Sequence, residues 1–426
     1  KKRKGYRDTL SFCSLRWLKE WSAMHHTVVA AACRGLAGLS GAALVSSGPG
    51  WMVRKETSCA AGGGSKGVAE GIINPVDQPQ RVAIVGATGA VGLEIVDVLQ
   101  RRGFPLKDIK LLASRRSAGK RLATPLGMVQ VEEFTVGKAR EADVVFLAVS
   151  GGFAEKFASQ ITADRKQLGG LWSTPGPIVI DNSSAFRYKP EVPLVVPEVN
   201  GEVARQRVKE GARILANPNC TTAIAAMALW PLHQQFGLRK VIVSTYQAAS
   251  GAGQAGMEEL LRETEKFLDQ SVASNDVFVH PLPFNVIPHI DKFQPNGYTK
   301  EEMKVAWETK KIFGLSDDVA ISCTAVRIPT LRAHAEAITI ETEKPISPAA
   351  ARHALASAPG LHTLDSVTSD LYPMPLNSSK KDEVNVGRIR QSLVFGDHGL
   401  DLFVCGDQLL RGAALNAVLI AEQVLK

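Results

Sequence analysis

The residue best suited to chemistry is Cys220, which follows Asn217-Pro218-Asn219 and precedes an apolar stretch with helical periodicity, residues 223–232. This order predicts a helix that begins at Cys220 and has Asn219 as its N-cap. The partial positive charge and free N–H groups at a helix start favour a thiolate. We therefore expect the thiol pKa to lie below its usual value of about 8.5, which would make Cys220 a nucleophile. The alternative is a small buried cysteine that only packs.

Two other polar residues lie at the ends of predicted strands. Gln247 comes at the end of the β-rich run 240–247, just before a glycine-rich break, and His334 opens a strand over residues 335–341. A thiol and an imidazole are the minimum set for acyl transfer with acid–base assistance. Spacing alone does not pair them, because a lone histidine is often structural and His334 is distant from Cys220 in the sequence.

A second group of residues suits a dinucleotide. A strand over residues 81–85 runs into a loop with three glycines, and an amphipathic helix follows over residues 93–101. Such glycines let the backbone approach a pyrophosphate, whose charge then rests on the helix N-terminus. The GxxGxxG spacing differs from GxGxxG, and a glycine turn without a ligand is the alternative. The residues predicted to bind the cofactor here are Gly86, Thr88, Gly89, Ala90, Val91 and Gly92.

The next predicted strand, residues 109–113, ends without the acidic residue that usually binds a ribose 2′-hydroxyl. The chain instead has Ser114, Arg115, Arg116 and Ser117, a set that suits a 2′-phosphate and favours NADP over NAD. A solvated loop is the alternative. The runs 142–149 and 177–181 predict further buried parallel strands. The sequence therefore predicts an α/β fold with a doubly wound parallel sheet.

The charge of the chain is uneven. Residues 1–69 hold 11 Lys and Arg but 3 Asp and Glu, and subtracting these from totals of 50 and 42 leaves 39 of each in the rest. The body is neutral, which argues against nucleic acid as a partner. Three of the six cysteines lie before residue 70, and the body has no CxxC pair or His cluster. We expect a reduced compartment and no metal site.

The N-terminal segment is predicted to be a targeting leader. It is poor in acids and rich in Ala, Gly and Ser, and Met24 is the expected initiator. Residues 24–66 are typical of a transit peptide, for which we expect a plastid destination in preference to the mitochondrion or cytoplasm. A secretory signal or membrane anchor over the apolar stretch 28–46 is the alternative, but Arg34 interrupts that stretch. We expect no membrane partner.

Ten motifs over residues 80–426 together resemble aspartate-semialdehyde dehydrogenase. They are the loop Gly86–Gly92, SRRSAG, DNSSAFR ending at Arg187, VVPEVN, NPNC, STYQAASGAG, LPFNVIPHID, GYTKEEMK ending at Lys304, RIPTLRAH and GDQLLRGAALNAV. The resemblance implies reversible, NADP(H)-linked reduction of aspartyl phosphate to aspartate semialdehyde and inorganic phosphate, on the route to lysine, threonine, methionine and isoleucine. It also implies a homodimer or a dimer of dimers.

The resemblance also implies a role for particular residues. The implied catalytic residues are Cys220 as nucleophile, His334 as acid–base and Gln247 as the residue that orients substrate. The implied substrate contacts are Arg327 with the carboxylate, Glu301 with the ammonium, and Arg187, Asn219 and Lys304 with phosphate. Ser250, Gly251 and Asn416 are implied to contact the cofactor. The family pattern departs little here: Arg115 is an extra arginine, and the insertion 168–176 has no assigned role.

The expected organisation has three parts. Residues 1–77 are the leader, residues 78–219 form a Rossmann-type NADP domain completed by residues 392–426, and residues 220–391 form an α+β catalytic and dimerisation domain. Strands 240–246, 320–326 and 335–341 are expected in a sheet with one exposed face. An N-acetylglutamyl-phosphate reductase-like enzyme is an alternative that Glu301 disfavours, since an acylated amine carries no charge. A glyceraldehyde-phosphate type enzyme fits poorly, and a non-catalytic nucleotide-binding homologue is the remaining alternative.

Overall fold

The computed structural model describes residue 76 and residues 78–166, 173–271 and 274–426. The predicted leader, with Met24, and residues 168–172 of the predicted insertion lie outside these ranges. The strands are β1 (Gln80–Val85), β2 (Leu106–Ala113), β3 (Arg121–Thr124), β4 (Gly127–Glu133), β5 (Val144–Leu147), β6 (Arg165–Lys166), β7 (Ser173–Thr174), β8 (Ile178–Asp181), β9 (Ile214–Ala216), β10 (Leu238–Gln247), β11 (Ala320–Arg327), β12 (His334–Thr342), β13 (Leu361–Thr363), β14 (Val384–Gln391) and β15 (Gly399–Gly406).

The α-helices are α1 (Ala90–Arg101), α2 (Val136–Arg140), α3 (Gly151–Thr162), α4 (Pro197–Lys209), α5 (Cys220–Phe236), α6 (Gly253–Leu268), α7 (Lys300–Phe313), α8 (Pro348–Ala356), α9 (Pro375–Ser378) and α10 (Leu415–Val424). Short 3₁₀ segments cover Ala249–Ala252 and Gly396–His398, and a π-helical turn, Leu410–Ala414, leads into α10. None of the described helices is long and apolar enough to span a bilayer.

The first sheet has the strand order β3-β4-β2-β1-β5-β8-β9, and all pairs except β3 with β4 are parallel. Every residue of β5 and β8 is buried, as expected for central strands covered on both faces. The chain runs from β1 to β2 on one side and later to β5 on the other. Ligands of such sheets bind at the carboxyl ends of the strands where the direction reverses, which here is the end of β1. The predicted doubly wound sheet is confirmed.

The second sheet has the order β11-β10-β12-β15-β14-β13. Strands β10 and β11 are parallel, whereas β12 runs antiparallel to β10 and β15. One face packs against the apolar helix α5. On β10 the opposite face leaves Ile242 and Tyr246 exposed. The second sheet therefore has the exposed face predicted for it.

The C-terminal segment is divided between the two sheets. The sequence predicts that residues 392–426 complete the first domain, but β15 pairs with β12 and β14 in the second sheet. Over residues 400–404 its burial alternates, with Leu400, Leu402 and Val404 buried and Asp401 and Phe403 partly exposed. Only the π-helical turn and α10 return to the first domain, where Leu415, Val418 and Ile420 join its core.

Candidate active site

Strand register brings together residues that are far apart in the sequence. Gln247 is the last residue of β10 and lies directly opposite Arg327, the last residue of the parallel strand β11. His334 begins β12, which is antiparallel to β10, so it starts at the same edge of the sheet, where its neighbour Ala335 pairs with Tyr246. Three residues from separate motifs therefore share one edge.

Asn219 joins this edge to the helix that carries the cysteine. Its Oδ1 accepts hydrogen bonds from the backbone N–H groups of Thr221 (3.1 Å) and Thr222 (3.2 Å), so it caps α5 as predicted. Its Nδ2 donates to Glu301 Oε1 at 2.9 Å, in the first turn of α7. The cap thus fixes the start of α5 and ties it to α7.

Cys220 is the first residue of α5 and is half-buried. Burial raises its pKa to about 11, the Glu301 carboxylate acts in the same direction, and the nearby Arg187, Arg327 and Lys304 cations only partly oppose them. The lowering of the pKa expected at the helix start is therefore not found, because burial and the Glu301 carboxylate act in the opposite direction.

His334 is completely buried. Its Nδ1 accepts a hydrogen bond from the Ala248 N–H at 3.0 Å, so the neutral ring carries its proton on Nε2. Within the described part of the chain Nε2 has no hydrogen-bond partner. Burial lowers the pKa of His334 to about 3, and the Arg327 cation adds to this effect. The site therefore contains a neutral imidazole with one free N–H donor.

Glu301 is a buried anion held by three donors. Its Oε1 accepts from Asn219 and from Gln247 Nε2 (3.1 Å), and its Oε2 accepts from Lys304 Nζ (2.9 Å). Burial alone would raise its pKa, but the Lys304 ammonium and these hydrogen bonds lower it to about 2. Lys304 also donates to Asp291 Oδ2 at 2.8 Å. Glu301 is thus ionised at any physiological pH.

Arg327 is a buried cation of a different kind. Its Nη1 donates to the Ala248 carbonyl at 2.5 Å, and its guanidinium lies 5.7 Å from the Phe278 ring centroid. Burial lowers its pKa. Among the described residues no carboxylate lies within ion-pair distance of it. Since a buried charge without a partner is costly, an anionic ligand is the natural counter-ion for this guanidinium.

Arg187 is buried close to the start of α5. Its Nε donates to the Asn217 carbonyl (2.8 Å), its Nη2 to the Asn182 carbonyl (3.0 Å), and its Nη1 to Glu308 (3.2 Å). The structure thus brings Arg187 near Cys220, with its guanidinium already oriented by protein acceptors.

Two residues of the site, Glu308 and Gly412, are not among those predicted from the sequence. Glu308 on α7 accepts from Arg187 and from the backbone of Asn219. The signal for it was its spacing, because it lies seven residues after Glu301 and so on the same helix face. Gly412 lies in the π-helical turn, where a Cβ would come 2.5 Å from the Cβ of Cys220. No sequence signal indicates this contact.

The glycine loop after β1 fits a pyrophosphate. Gly86 has φ +87°, and a Cβ there would lie 2.2 Å from the Ala148 carbonyl oxygen. A Cβ on Gly92 would lie 2.3 Å from the Gly86 oxygen, so both positions exclude side chains. The N-cap of α1 is Gly89, which has no side chain to cap the N–H groups of that first turn. Those N–H groups, which include residues Ala90 and Val91, are donors that an anion would accept from.

The other predicted cofactor residues differ in exposure. Thr88 donates to Ser117 Oγ at 3.2 Å, which joins the glycine loop to the loop after β2. Ser114, Arg115 and Arg116 of that second loop are exposed, and neither arginine forms an ion pair with a described residue. The described residues also contain no cluster of three or more His, Cys, Asp or Glu side chains suited to a metal.

The remaining predicted cofactor residues are Ser250, Gly251 and Asn416. Ser250 is buried and accepts a hydrogen bond from Gln408 Nε2. A Cβ on Gly251 would lie 2.6 Å from Arg327 Nη1. Asn416 is fully buried and donates to the Val195 carbonyl and to Asn217 Oδ1, while its own Oδ1 has no partner among the described residues.

Comparison with known proteins gives a consistent result. Residues 81–207 match the family model described as semialdehyde dehydrogenase, NAD binding domain, and residues 229–411 match the semialdehyde dehydrogenase dimerisation domain. The chain is 42% identical over 348 residues to the aspartate-semialdehyde dehydrogenase of Synechocystis sp., covering 82% of this chain and 98% of that protein. It is also 42% identical over 353 residues to the protein of that name from Aquifex aeolicus, covering 81% and 98%.

A solved structure shows the same likeness. The crystal structure described as aspartate semialdehyde dehydrogenase II from Vibrio cholerae, complexed with ASA, superposes with a TM-score of 0.74 at 38% identity. The match covers 82% of this chain and 98% of that one.

Proposed function

Because the chain belongs to the aspartate-semialdehyde dehydrogenase family, we propose that it converts L-aspartyl 4-phosphate reversibly to L-aspartate 4-semialdehyde and inorganic phosphate with NADP(H). It is an oxidoreductase of that class. The observation that carries the proposal is the arrangement around Cys220: the same small site contains an ionised Glu301 and the buried, unpaired guanidinium of Arg327.

These two charges suit the two ends of an amino acid. Arg327 can bind the α-carboxylate through two parallel N–H donors, and Glu301 can bind the α-ammonium. Gln247 bonds to Glu301 and would orient the substrate from the same edge. An N-acetylated substrate has no ammonium and would leave the buried Glu301 anion with an uncharged amide, which disfavours the reductase alternative.

The chemistry is acyl transfer to a cysteine followed by reduction of the resulting thioester. In the reductive direction the Cys220 sulfur, deprotonated to the thiolate, attacks the acyl carbon; a C–S bond forms and the C–O bond to phosphate breaks as phosphate leaves toward Arg187, Lys304 and Asn219. Bound NADPH would supply a hydride to the thioester carbon; the C–S bond then breaks, its electron pair returns to the Cys220 sulfur, and the semialdehyde is released. His334 donates from Nε2 to the carbonyl oxygen as negative charge develops there. To act as a base the ring must first release the Ala248 N–H, because Nδ1 is already an acceptor.

The cofactor and assembly are proposed on separate grounds. The exposed, unpaired Arg115 and Arg116 support NADP in preference to NAD, with the glycine loop binding its pyrophosphate and Ser250, Gly251 and Asn416 nearer its reactive end. The exposed face of the second sheet, with Ile242 and Tyr246, supports a homodimer through the dimerisation domain. A dimer of dimers is the larger assembly that we propose as its alternative.

The biological setting is proposed from the reaction and the N-terminal composition. The product is a precursor for lysine, threonine, methionine and isoleucine. The acid-poor segment before residue 70 precedes the first residue matched by the family, Arg81, and supports import into a plastid. Fusing residues 24–69 to a fluorescent protein tests this, because a fluorescent signal in the cytoplasm would contradict it.

The proposed reaction is tested by NADPH absorbance with aspartate semialdehyde, with and without inorganic phosphate. We expect sustained NADPH formation only with phosphate, and a Cys220→Ala variant should lose activity by at least about a thousandfold while still binding NADPH. N-acetylglutamate semialdehyde is the matched control substrate. A folded protein that uses the control and not aspartate semialdehyde would overturn the proposal.

A further inference from the structure

A buried carboxylate, Glu308, contacts Arg187, one of the residues proposed to bind phosphate. Glu308 is completely buried on α7, two turns after Glu301. Its Oε1 accepts from Arg187 Nη1 at 3.2 Å and from the Tyr188 hydroxyl at 3.0 Å, and its Oε2 accepts from the Asn219 backbone N–H at 2.5 Å. One side chain therefore bonds both the guanidinium and the turn that precedes Cys220.

The hydrogen bonds of Arg187 leave two N–H groups for a ligand. A guanidinium has five N–H donors, and three of them are used by Glu308, the Asn217 carbonyl and the Asn182 carbonyl. Among the described residues no acceptor is found for the other two. Because the three protein acceptors fix the plane of the guanidinium, they also fix the direction of the two free donors.

Stability alone gives little reason for this arrangement. A buried ion pair is often no better than apolar residues of similar volume, because desolvation offsets the attraction. Glu308 is moreover bound to three donors from two separate segments, since the adjacent residues Arg187 and Tyr188, and also Asn219, do not lie on its own helix. Such a network is best explained by the geometry that it imposes on Arg187 and Asn219.

We propose that Glu308 is the positioning residue of the phosphate pocket. It acts through Arg187 and the Asn219 turn, touches neither substrate nor cofactor, and serves the half-reaction that uses phosphate. The inference rests on the proposed function. In that half-reaction a phosphate oxygen attacks the Cys220 thioester, the new C–O bond forms as the C–S bond breaks, and the electron pair returns to sulfur. The preceding half-reaction, which forms the thioester and NADPH, needs no phosphate.

The test separates these two half-reactions in full-length protein. For Glu308→Gln we expect the KM for phosphate to rise by about tenfold or more. The amide has an NH2 group where the carboxylate has an oxygen, so one of the donors that now bonds Glu308 would lose its acceptor. The KM for aspartate semialdehyde, and the NADPH burst formed without phosphate, should stay within about twofold of wild type. Glu308→Asp keeps the charge but shortens the side chain, so it should also raise the phosphate KM.

Two variants are matched controls. Glu302 is a buried glutamate on the same helix whose carboxylate accepts from Thr299 and Ala325 N–H groups, away from Arg187, so Glu302→Gln should not change the phosphate KM. Tyr188→Phe removes one donor to Glu308 and leaves its other two hydrogen bonds, so it should change the phosphate KM by less than about threefold.

Three outcomes would overturn the inference. The first is an unchanged phosphate KM in both Glu308 variants. The second is a lowered phosphate KM in Glu308→Gln, which would mean that the negative charge of Glu308 only weakens phosphate binding. The third is a loss of the NADPH burst equal to the loss of turnover. Absence of phosphate-dependent NADPH formation in the wild type would instead contradict the proposed function, so the two failures are distinguishable.

Discussion

At the scale of the residue, the site shows that a helix start does not by itself activate a cysteine. Cys220 has the predicted position and the predicted cap, yet its pKa is raised to about 11 by burial and by the Glu301 carboxylate. His334 cannot remove the proton while its Nδ1 accepts from Ala248. The pKa of the thiol is therefore set by the residues around it and not by the helix start alone.

This has a measurable consequence in the free enzyme. Because a thiol below its pKa gains about tenfold in thiolate per pH unit, alkylation of Cys220 by iodoacetamide should keep rising from about pH 7 to about pH 10. Mass spectrometry of the peptide that contains Cys220 gives the rate. Glu301→Gln should move the profile to lower pH, since Glu301 raises the thiol pKa. A plateau below about pH 8 in the wild type would contradict this account.

At the scale of the element, the glycine-rich segment that follows β10 contacts both His334 and Arg327. Ala248 donates its N–H to His334 and accepts from Arg327 through its carbonyl, so one peptide segment orients both side chains. A Cβ on Gly251 would lie 2.6 Å from Arg327 Nη1 and 3.3 Å from His334 Nε2. This explains a glycine at that position by close approach.

We expect Gly251→Ala to keep the fold but impair catalysis. The added methyl must displace the ends of Arg327 and His334, and a misplacement of about 1 Å can cost about a hundredfold in rate. Steady-state kinetics should show a raised KM for aspartate semialdehyde and a lowered kcat, with a near-normal melting temperature. Gly152→Ala, at a helical position with open space around it, is the control. Wild-type kinetics in Gly251→Ala would exclude the steric explanation.

At the scale of the whole molecule, one buried carboxyl group makes the stability of the fold depend on pH. Glu336 lies on β12, two residues beyond His334, and both of its carboxylate oxygens are without a hydrogen-bond partner among the described residues. Burial raises its pKa well above the usual value, so the folded protein keeps this carboxyl protonated. Folding therefore costs more free energy as pH rises and the unfolded chain ionises.

The sign of this effect can be tested. Stability from a group with a raised carboxyl pKa is complete below the unfolded pKa of about 4.3 and declines as pH rises toward the folded pKa. Glutamine does not titrate, so the free energy of unfolding of Glu336→Gln should exceed that of wild type by a margin that grows about 1.4 kcal/mol per pH unit above about pH 5. Denaturant unfolding at several pH values measures this margin, and a margin independent of pH would refute it.

Glu263 supplies a control of opposite sign. It is also buried, but hydrogen bonds from Lys266, Ser274 and Arg262 outweigh the effect of burial and lower its pKa to about 2. Stability from such a group is present above the unfolded pKa and lost as pH falls. Glu263→Gln should therefore be less stable than wild type near neutral pH and approach it in acid.

The amino-acid sequence by itself determined the local features of this protein. The glycine loop between β1 and α1, the Asn219 cap and the principal strands were predictable, because turns, caps and hydrophobic periodicity depend on residues close together in the chain. The family was also recognisable from its motifs. The place of β15 was not, since a strand pattern does not say which sheet it joins.

Only the tertiary structure decided the chemistry at the ends of those elements. Strand register, and not spacing, places Gln247 opposite Arg327 and His334 at the same sheet edge. The pKa of Cys220 is set by burial and by Glu301, 81 residues away in the chain. Glu308 acquires its three donors from other segments. Desolvation and long-range hydrogen bonds exist only in the folded molecule, so no local pattern records them.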